Sequence, residues 1–232
     1  LEESEREKGL MIAQLSHDIK TPLTSIQASV EGMLDGVIAA DEQQYYLKTI
    51  SRQTDRLNKL VEELSFITLN TMNQPDVPLE KEEIFLDKLL IDIMSEFQLV
   101  IDKEDRDIQI SVQPESAKII SNYDKLSRII LNLVSNAFKY SEAGTKLTID
   151  AAVDDNKRLT LTVADEGQGI KSEDLEKIFK RLYRVESSRN MKTGGHGLGL
   201  YIARELAHQL GGDIFVQSEY GQGSSFSLVL DI

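Results

Sequence analysis

The sequence predicts an α+β protein in two parts. Residues 1–69 read as a helical hairpin that pairs with a second copy into a dimeric four-helix bundle. Residues 80–232 read as an α/β sandwich with helices on one face of a mixed sheet, and a linker at 70–79 joins the two. Three observations carry this. Apolar residues recur every three or four positions through the first part. The stretch "TLNTMNQPDVP" then breaks the period with polar residues and two prolines. Beyond it, helical patterns mix with short runs in which every second residue is apolar.

Composition narrows the function classes. The chain's 232 residues are 41% hydrophobic and 28% charged, which suits one or two globular domains. A net charge of −13 argues against nucleic acid or an anionic membrane surface as partner. The absence of cysteine excludes a disulfide framework and cysteine-based metal or redox chemistry. No apolar run is long enough to span a bilayer, and no signal peptide opens the chain. It begins "LEESEREKGL", a charged helical pattern already under way without an initiator methionine. That reads as a fragment whose upstream part is missing.

The first helix carries Ile12, Leu15, Ile19, Leu23, Ile26, Val30 and Met33 at three- and four-residue steps, the stripe of a core-facing helix. Within it, "QLSHDIKTPLTSI" puts His17 on the other side. At about 100° per residue His17 lies roughly 200° from Leu15. Asp18 is beside it, and Thr21 follows one turn later on the same face. Pro22 removes a helical hydrogen bond and clashes with the preceding turn, costing about 3 kcal/mol, yet the stripe continues beyond it in register. A lone exposed histidine often does nothing, so this window leaves His17 open between a surface residue and a presented reactive one. The second helix carries Leu47, Ile50, Thr54, Leu57, Val61 and Leu64, with Gly36 as the end of the first helix and Asp41 as N-cap of the second. Two helices with one stripe each cannot enclose a core, and a dimer is the economical solution.

In the second part, helices are expected near 87–102, 124–140 and 198–210. Strands are expected at "KLTIDAAV", "RLTLTVAD", "GDIFVQS" and "SSFSLVLD". On "KLSRIILNLVSNAFKYS", Asn132, Asn136, Lys139 and Tyr140 fall on one narrow strip. Two carboxamides, an ammonium and a phenol suit a ligand with phosphates, a metal and an aromatic ring, though a solvated helix face looks the same. In "RLTLTVADEGQGI", alternation brings Asp165 out at the strand end on the core side, where a carboxylate needs a donor such as an adenine amino group. Gly167 and Gly169 permit close backbone approach to a ring, and equally a plain glycine turn. In "TGGHGLGLYIARELAHQLGG", Gly194, Gly195, Gly197 and Gly199 lead into a helix whose N-terminus is a natural anion site. Residues 177–192 carry Lys177, Lys180, Arg181, Arg184, Arg189 and Lys192 against the single acid Glu186. This inversion of the chain's charge suits phosphate, or a solvated face.

The order of these elements resembles the cytoplasmic catalytic core of a two-component sensor histidine kinase over nearly the whole chain. "SHDIKTPL" resembles the H box and "NLVSNAFKYS" the N box. "DEGQGI" resembles G1, "IFKRLYR" the F box, "GGHGLGL" G2 and "GQGSSF" G3. The resemblance implies a dimerisation and phosphotransfer domain followed by a Bergerat-type (GHKL) ATP-binding domain. It implies His17 as phosphoacceptor, Asp18 as the residue orienting its imidazole, and Thr21 as a residue of phosphatase activity toward the phosphorylated regulator. It implies Asn136 as a Mg²⁺ ligand with Asn132 as its supporting partner, Lys139 on phosphate, Tyr140 on the adenine side and Asp165 on the adenine amino group. Gly167, Gly169 and Ile170 would flank the base, and Arg181 and Arg184 would approach the phosphates. Gly195, His196, Gly197, Leu198 and Gly199 would form the lid hinge. The implied cofactors are ATP and Mg²⁺. The implied partners are a second copy through residues 1–69 and a response-regulator receiver domain, with a membrane reached only through a missing upstream segment of a bacterial sensor. His196 stands where the family usually has threonine or serine, and Leu182 where the F box usually has a second aromatic. Two rivals are a non-catalytic nucleotide-binding scaffold, against which His17, Asp18 and Asn136 argue, and gyrase-like or chaperone ATPases, which lack the H-box helix pair.

Overall fold

The computed structural model describes residues 2–71, 80–185 and 196–232. The chain divides into two compact units, Leu1–Pro75 and Asp76–Ile232. In the first, α1 (Glu2–Leu34) and α2 (Gln43–Thr71) pack against one another. Helix α2 thus runs two residues into the expected linker, whose remainder lies outside the described residues. Helix α1 passes through Pro22 unbroken. It ends at Leu34, and Gly36 just beyond takes a φ of 71° that suits a residue without Cβ. Ile38 then folds back, buried, with its N–H on the carbonyl of Gly32 at 2.9 Å. Helix α2 opens at Gln43, so its flanking residue is Glu42 rather than the expected Asp41. The Glu42 carbonyl accepts from both Tyr45 and Tyr46.

Much of the apolar stripe of α1 stays uncovered: Ile19 and Val30 are exposed, and Leu15, Ile26 and Met33 are half-buried. Ile12 is 66% exposed and Leu23 53%, whereas among the described side chains of α1 the buried ones are Pro22 and Ser29. On α2, Leu60, Glu63 and Ile67 are buried while Leu47 and Val61 are exposed. The reason is geometric. One neighbouring helix covers a single seam, and a stripe of this width needs more than one neighbour.

The second unit is a five-stranded sheet in the order β2-β4-β5-β7-β6. These strands are β2 (Asp107–Gln113), β4 (Lys146–Val153), β5 (Arg158–Asp165), β6 (Gly212–Glu219) and β7 (Gly223–Asp231). Strand β2 runs parallel to β4, and the other pairs are antiparallel. A separate two-stranded sheet joins β1 (Glu82–Phe85) to β3 (Lys118–Ser121). Helices α5 (Tyr123–Tyr140) and α6 (Gly199–Gln209) pack on each other and on the sheet. Leu126, Ile129, Ile130, Leu133 and Val134 of α5 are sealed against Leu147, Ile149, Leu159, Leu161, Leu228 and Leu230, all at most 1% exposed. Each such side chain contributes about 1.5–3 kcal/mol on burial.

The helix expected over 87–102 is two helices, α3 (Leu86–Ser95) and α4 (Gln98–Glu104). Phe97 breaks it. Its ring stacks on Phe138 of α5 at 4.9 Å and its carbonyl restarts the ladder by accepting from Val100 and Ile101. Strands β1, β2 and β3 carry no period that the sequence reading could use: β1 and β3 are only four residues long, and β2 buries no clean alternating face. In β2, Ile110 is 40% exposed.

At the joint of α6 and β6, Asp213 accepts both Arg204 Nε (2.8 Å) and Nη2 (2.9 Å), and His208 Nε2 lies 3.0 Å from the same carboxylate. Chiefly through Arg204, its pKa is lowered from 3.8 to about 2. The folded-state value lies below the unfolded one, so this stabilisation is complete above pH 3.8 and is lost as pH falls through about 2. Asp213→Asn is expected to cost about 1 kcal/mol at neutral pH, because solvent screens this partly exposed pair. The gap between wild type and variant in urea unfolding should close as pH falls from about 4 toward 2.

Candidate functional site

In the first unit the predicted residues lie on one side of α1. The His17 side chain is 79% exposed and its Nδ1 lies 3.5 Å from Asp18 Oδ1, with Asp18 itself only 13% exposed. A carboxylate on the Nδ1 side favours the tautomer that leaves the Nε2 lone pair pointing away. Thr21 Oγ1 donates to the carbonyl of His17 at 3.0 Å, a back-bond within the helix just before Pro22.

In the second unit, α5 presents Asn132, Asn136, Lys139 and Tyr140, each half-buried. The Asn132 carboxamide reaches the start of α6, since a Cβ on Gly199 would lie 3.3 Å from its Oδ1. Its Nδ2 is buried with no hydrogen-bond partner among the described residues. An orphaned donor of this kind costs about 1–3 kcal/mol unless something completes it. Lys139 Nζ sits over the Tyr140 ring at 4.7 Å. The turn after β5 closes on the end of this helix, because Gln168 N–H donates to the Tyr140 carbonyl at 3.1 Å.

The glycines of that turn serve the protein's own packing. A Cβ on Gly167 would meet the Tyr140 carbonyl oxygen at 2.3 Å, and one on Gly169 (φ 66°) would meet that of Glu219 at 2.0 Å. Ile170 N–H is held by Ser218 Oγ at 2.8 Å. Asp165 closes β5, its Oδ1 accepting Gly167 N–H at 2.8 Å. Burial raises its pKa from 3.8 to about 6, against the opposing pull of the Gly167 and Ser224 N–H groups and the Arg106 cation. At neutral pH it is mostly an ionised carboxylate short of solvation.

Of the glycine-rich segment, Gly194 and Gly195 lie outside the described residues, as do Arg189 and Lys192. Gly197 (φ 74°) packs on the backbone of Leu182 and Tyr183, at 2.9 and 2.7 Å from where its Cβ would stand. Leu182 takes a left-handed φ of 60° and is buried. His196, expected in the lid hinge, is 5% exposed and therefore a packed residue rather than a solvent-facing one. Leu198 is fully buried and flanks α6, whose first turn has no side-chain cap. Arg181 stacks on Tyr201 of α6 at 4.7 Å and bonds its hydroxyl at 2.6 Å. Arg184 is half-buried.

The structure therefore brings Asn132 to Gly199, Tyr140 to Gly167 and Asp165, and the F-box backbone to Gly197. Three partners escaped the sequence reading: Tyr201, Ser218 and Arg106. Each acts on a motif from outside it, and no spacing rule connects them. A cavity of about 500 Å³ behind the turn, lined by Lys171, Glu173 and Tyr220 among others, shares only Ile170 with the predicted set.

Comparison with known proteins gives two family matches. Residues 121–232 match the histidine kinase-, DNA gyrase B-, and HSP90-like ATPase family, and residues 7–69 match the His Kinase A (phospho-acceptor) domain. Histidine protein kinase SaeS of Staphylococcus aureus is 37% identical over 99% of this chain, which spans 65% of the length of that relative. The fold is that of the Acinetobacter baumannii histidine kinase AdeS, with a TM-score of 0.73 at 25% identity over 93% of this chain and 98% of that one. It is also that of histidine kinase ThkA, solved in complex with response regulator protein TrrA. There the TM-score is 0.75 at 23% identity over 99% of this chain and 63% of that one. ShkA, solved with AMPPNP, gives 0.70 at 24% identity over 95% and 45%.

Because the folded-state pKa of Asp165 lies above the ordinary one, its contribution to stability is complete below pH 3.8 and is lost as pH rises through about 6. Carbon-detected NMR of the ligand-free protein should give an Asp165 carboxyl midpoint near 6. In Asp165→Asn, the part of the loss of thermal stability between about pH 4 and pH 6 that belongs to this group should vanish. A midpoint near the ordinary 3.8 would remove the basis for a desolvated carboxylate.

Proposed function

The chain belongs to the histidine kinase family, and from that premise we propose that it uses ATP to phosphorylate His17 and passes the phosphoryl group to an aspartate of a response regulator. The observation that carries this is the imidazole of His17, 79% exposed with its Nδ1 turned to Asp18. The lone pair of neutral Nε2 attacks the γ-phosphorus in line. The bond to the β–γ bridging oxygen breaks and ADP leaves with that electron pair. The phosphorus–nitrogen bond then breaks as a regulator carboxylate oxygen attacks in turn. Exposure suits a histidine that two different proteins must reach.

An adenine nucleotide suits the residues of the second unit. The ionised Asp165 accepts from an exocyclic amino group, and the unpartnered Nδ2 of Asn132 lies at the start of α6, where the free N–H groups of a first turn receive phosphate. Lys139, Arg181 and Arg184 add positive charge. Asn136 supplies the neutral, hard amide oxygen that Mg²⁺ accepts. Among the described residues no group of three or more His, Asp or Glu could hold an ion unaided. Mg²⁺ commonly relies on phosphates and waters for its remaining ligands. Bound there, the cation neutralises charge on the triphosphate.

The exposed apolar residues of α1 and α2 support a second copy as partner through residues 1–69. No helix among the described residues is long and apolar enough to cross a membrane. We read the chain as the cytoplasmic part of a longer bacterial membrane sensor, a reading that the 65% coverage of SaeS supports.

Incubation with γ-labelled ATP and Mg²⁺ should give acid-labile, base-stable label that is lost in His17→Gln. Full labelling of that variant would sink the assignment.

A phosphatase activity toward the phosphorylated regulator is the finer part of the proposal. Thr21 shares the face of His17, and its hydroxyl donates its proton to the His17 carbonyl, leaving its oxygen lone pairs to accept from a water. Positioning a water for in-line attack on an acyl phosphate is most of what that reaction needs. Thr21→Ala should keep autophosphorylation and lose about tenfold or more of regulator dephosphorylation, assayed with purified phosphorylated regulator and ADP. Equal rates in both proteins would leave Thr21 only its helical back-bond.

A further inference from the structure

We propose that Arg106 is a positioning residue of the nucleotide site: its guanidinium holds the C-terminal end of α5 in the place from which Lys139 and Tyr140 meet the same ligand as Asp165. The inference rests on reading that site as nucleotide-binding.

Arg106 belongs to none of the sequence boxes. Its position is set locally. Helix α4 ends at Glu104, and Asp105 follows with a φ of 49°, a left-handed conformation that aspartate tolerates better than most residues. The chain reverses there and turns Arg106 inward, where its side chain is 2% exposed.

All five guanidinium N–H groups are used. Nε donates to Glu104 Oε2 at 2.8 Å. Nη1 donates to the Ser141 hydroxyl and, at 3.1 Å, to Thr145 Oγ1. Nη2 donates to the carbonyls of Phe138 (3.2 Å) and Ser141 (2.9 Å). The guanidinium carbon lies 5.3 Å from the centre of the Phe138 ring. Glu104 balances the charge at 2.7 Å.

Two of these acceptors are carbonyls at the end of α5, where a helix runs out of donors and concentrates negative potential. Lys139 and Tyr140 lie between them in sequence, and Tyr140 is also tied by its own carbonyl to Gln168. A buried guanidinium, here paired with a carboxylate that is 34% exposed, is a costly way to fill space, and an apolar residue is often as good or better for stability alone. What the arginine adds is a rigid planar fork that spans a helix end and the turn beyond it, which a lysine cannot reproduce. Its cation also acts on Asp165 in the direction opposite to burial. One side chain therefore bears on both halves of the site.

The test measures ADP affinity of the 232-residue chain by calorimetry. Arg106→Lys keeps a cation and loses the fork. It should raise the ADP Kd about tenfold, the scale of one charge-assisted hydrogen bond. Ile149→Val, a sheet-core change that lowers thermal stability, should leave the ADP Kd unchanged. Arg106→Met removes the charge as well. In the ligand-free protein it should move the Asp165 carboxyl midpoint above about 6, while Arg106→Lys leaves it near there.

The proposal is overturned if Arg106→Lys binds ADP like wild type, or if Ile149→Val weakens ADP as much. If Arg106→Met does not fold, the lysine variant decides. If wild type itself does not bind ADP, the nucleotide reading and this inference fall together. The NMR midpoint would still report whether Arg106 acts on Asp165.

Discussion

Helix α5 ends where its last carbonyl meets the turn after β5, and the second unit is organised around that seat. A side chain on Gly167 would be driven to within 2.3 Å of the Tyr140 carbonyl oxygen and 2.6 Å of Asp165 Oδ1, while Gln168 N–H bonds the same carbonyl. Once this contact is made, other positions follow. A helix rises 1.5 Å per residue, so the strip is a rigid rule laid back from Tyr140. Its far end, Asn132, comes under the opening of α6 at Gly199. On the other side, β5 is locked by pairing to β7, with Asp165 opposite Ser224. The left-handed Gly223 lets the backbone pass Asp165, since a Cβ there would lie 2.0 Å from the Asp165 carbonyl oxygen. The glycines of two boxes thus bring main chain to main chain, and the carboxylate inherits its place from them.

The first unit works from the opposite condition, an unfinished burial. Ile12, Leu23, Leu47 and Val61 remain exposed, while the seam between the helices holds Ser29 and Glu63 beside Leu60 and Ile67. Each aliphatic side chain left in water forgoes about 1.5–3 kcal/mol, so a hairpin with this seam gains a great deal from any apolar partner. His17 lies nearly opposite the stripe. Covering the stripe therefore need not cover the imidazole, and the symmetric partner proposed above would leave its Nε2 in solvent. Association and accessibility are separated by a half-turn of one helix.

Much of this was legible in the sequence. The four strands with clean alternation, β4 to β7, and both long helices of the hairpin announced themselves by period. So did the continuation of α1 beyond Pro22, because Ile26 and Val30 stayed in phase. The failures have physical causes. The 87–102 helix was divided by Phe97, whose aromatic stack on Phe138 is a tertiary contact that no local period records. Strand β2 is an edge with half-exposed apolar residues, so its pattern is weak. The stripe of α1 was rightly seen as apolar, but its direction depends on the number of neighbours rather than on the helix. In the site, Asp165 was visible as a strand-end carboxylate. Arg106 was not, because "EDRD" reads as a charged turn until the fold buries it.

The ionisation of Asp165 joins stability to recognition. Burial makes its charged form unfavourable, and two backbone N–H groups with Arg106 offset only part of that cost. The free unit therefore holds at neutral pH a carboxylate that is under-solvated yet prevented from relaxing, since the main chain on both sides is fixed by Gly167 and Gly223. A group held in this way favours a ligand that brings a donor and rejects one that brings a lone pair. On the proposed reading, a base with an amino group recovers the missing solvation, whereas a base with a carbonyl at that position adds repulsion to it. On that reading the discrimination comes from a charge the fold keeps short of partners, and the stability forgone in the free unit is returned in part as binding free energy when the donor arrives.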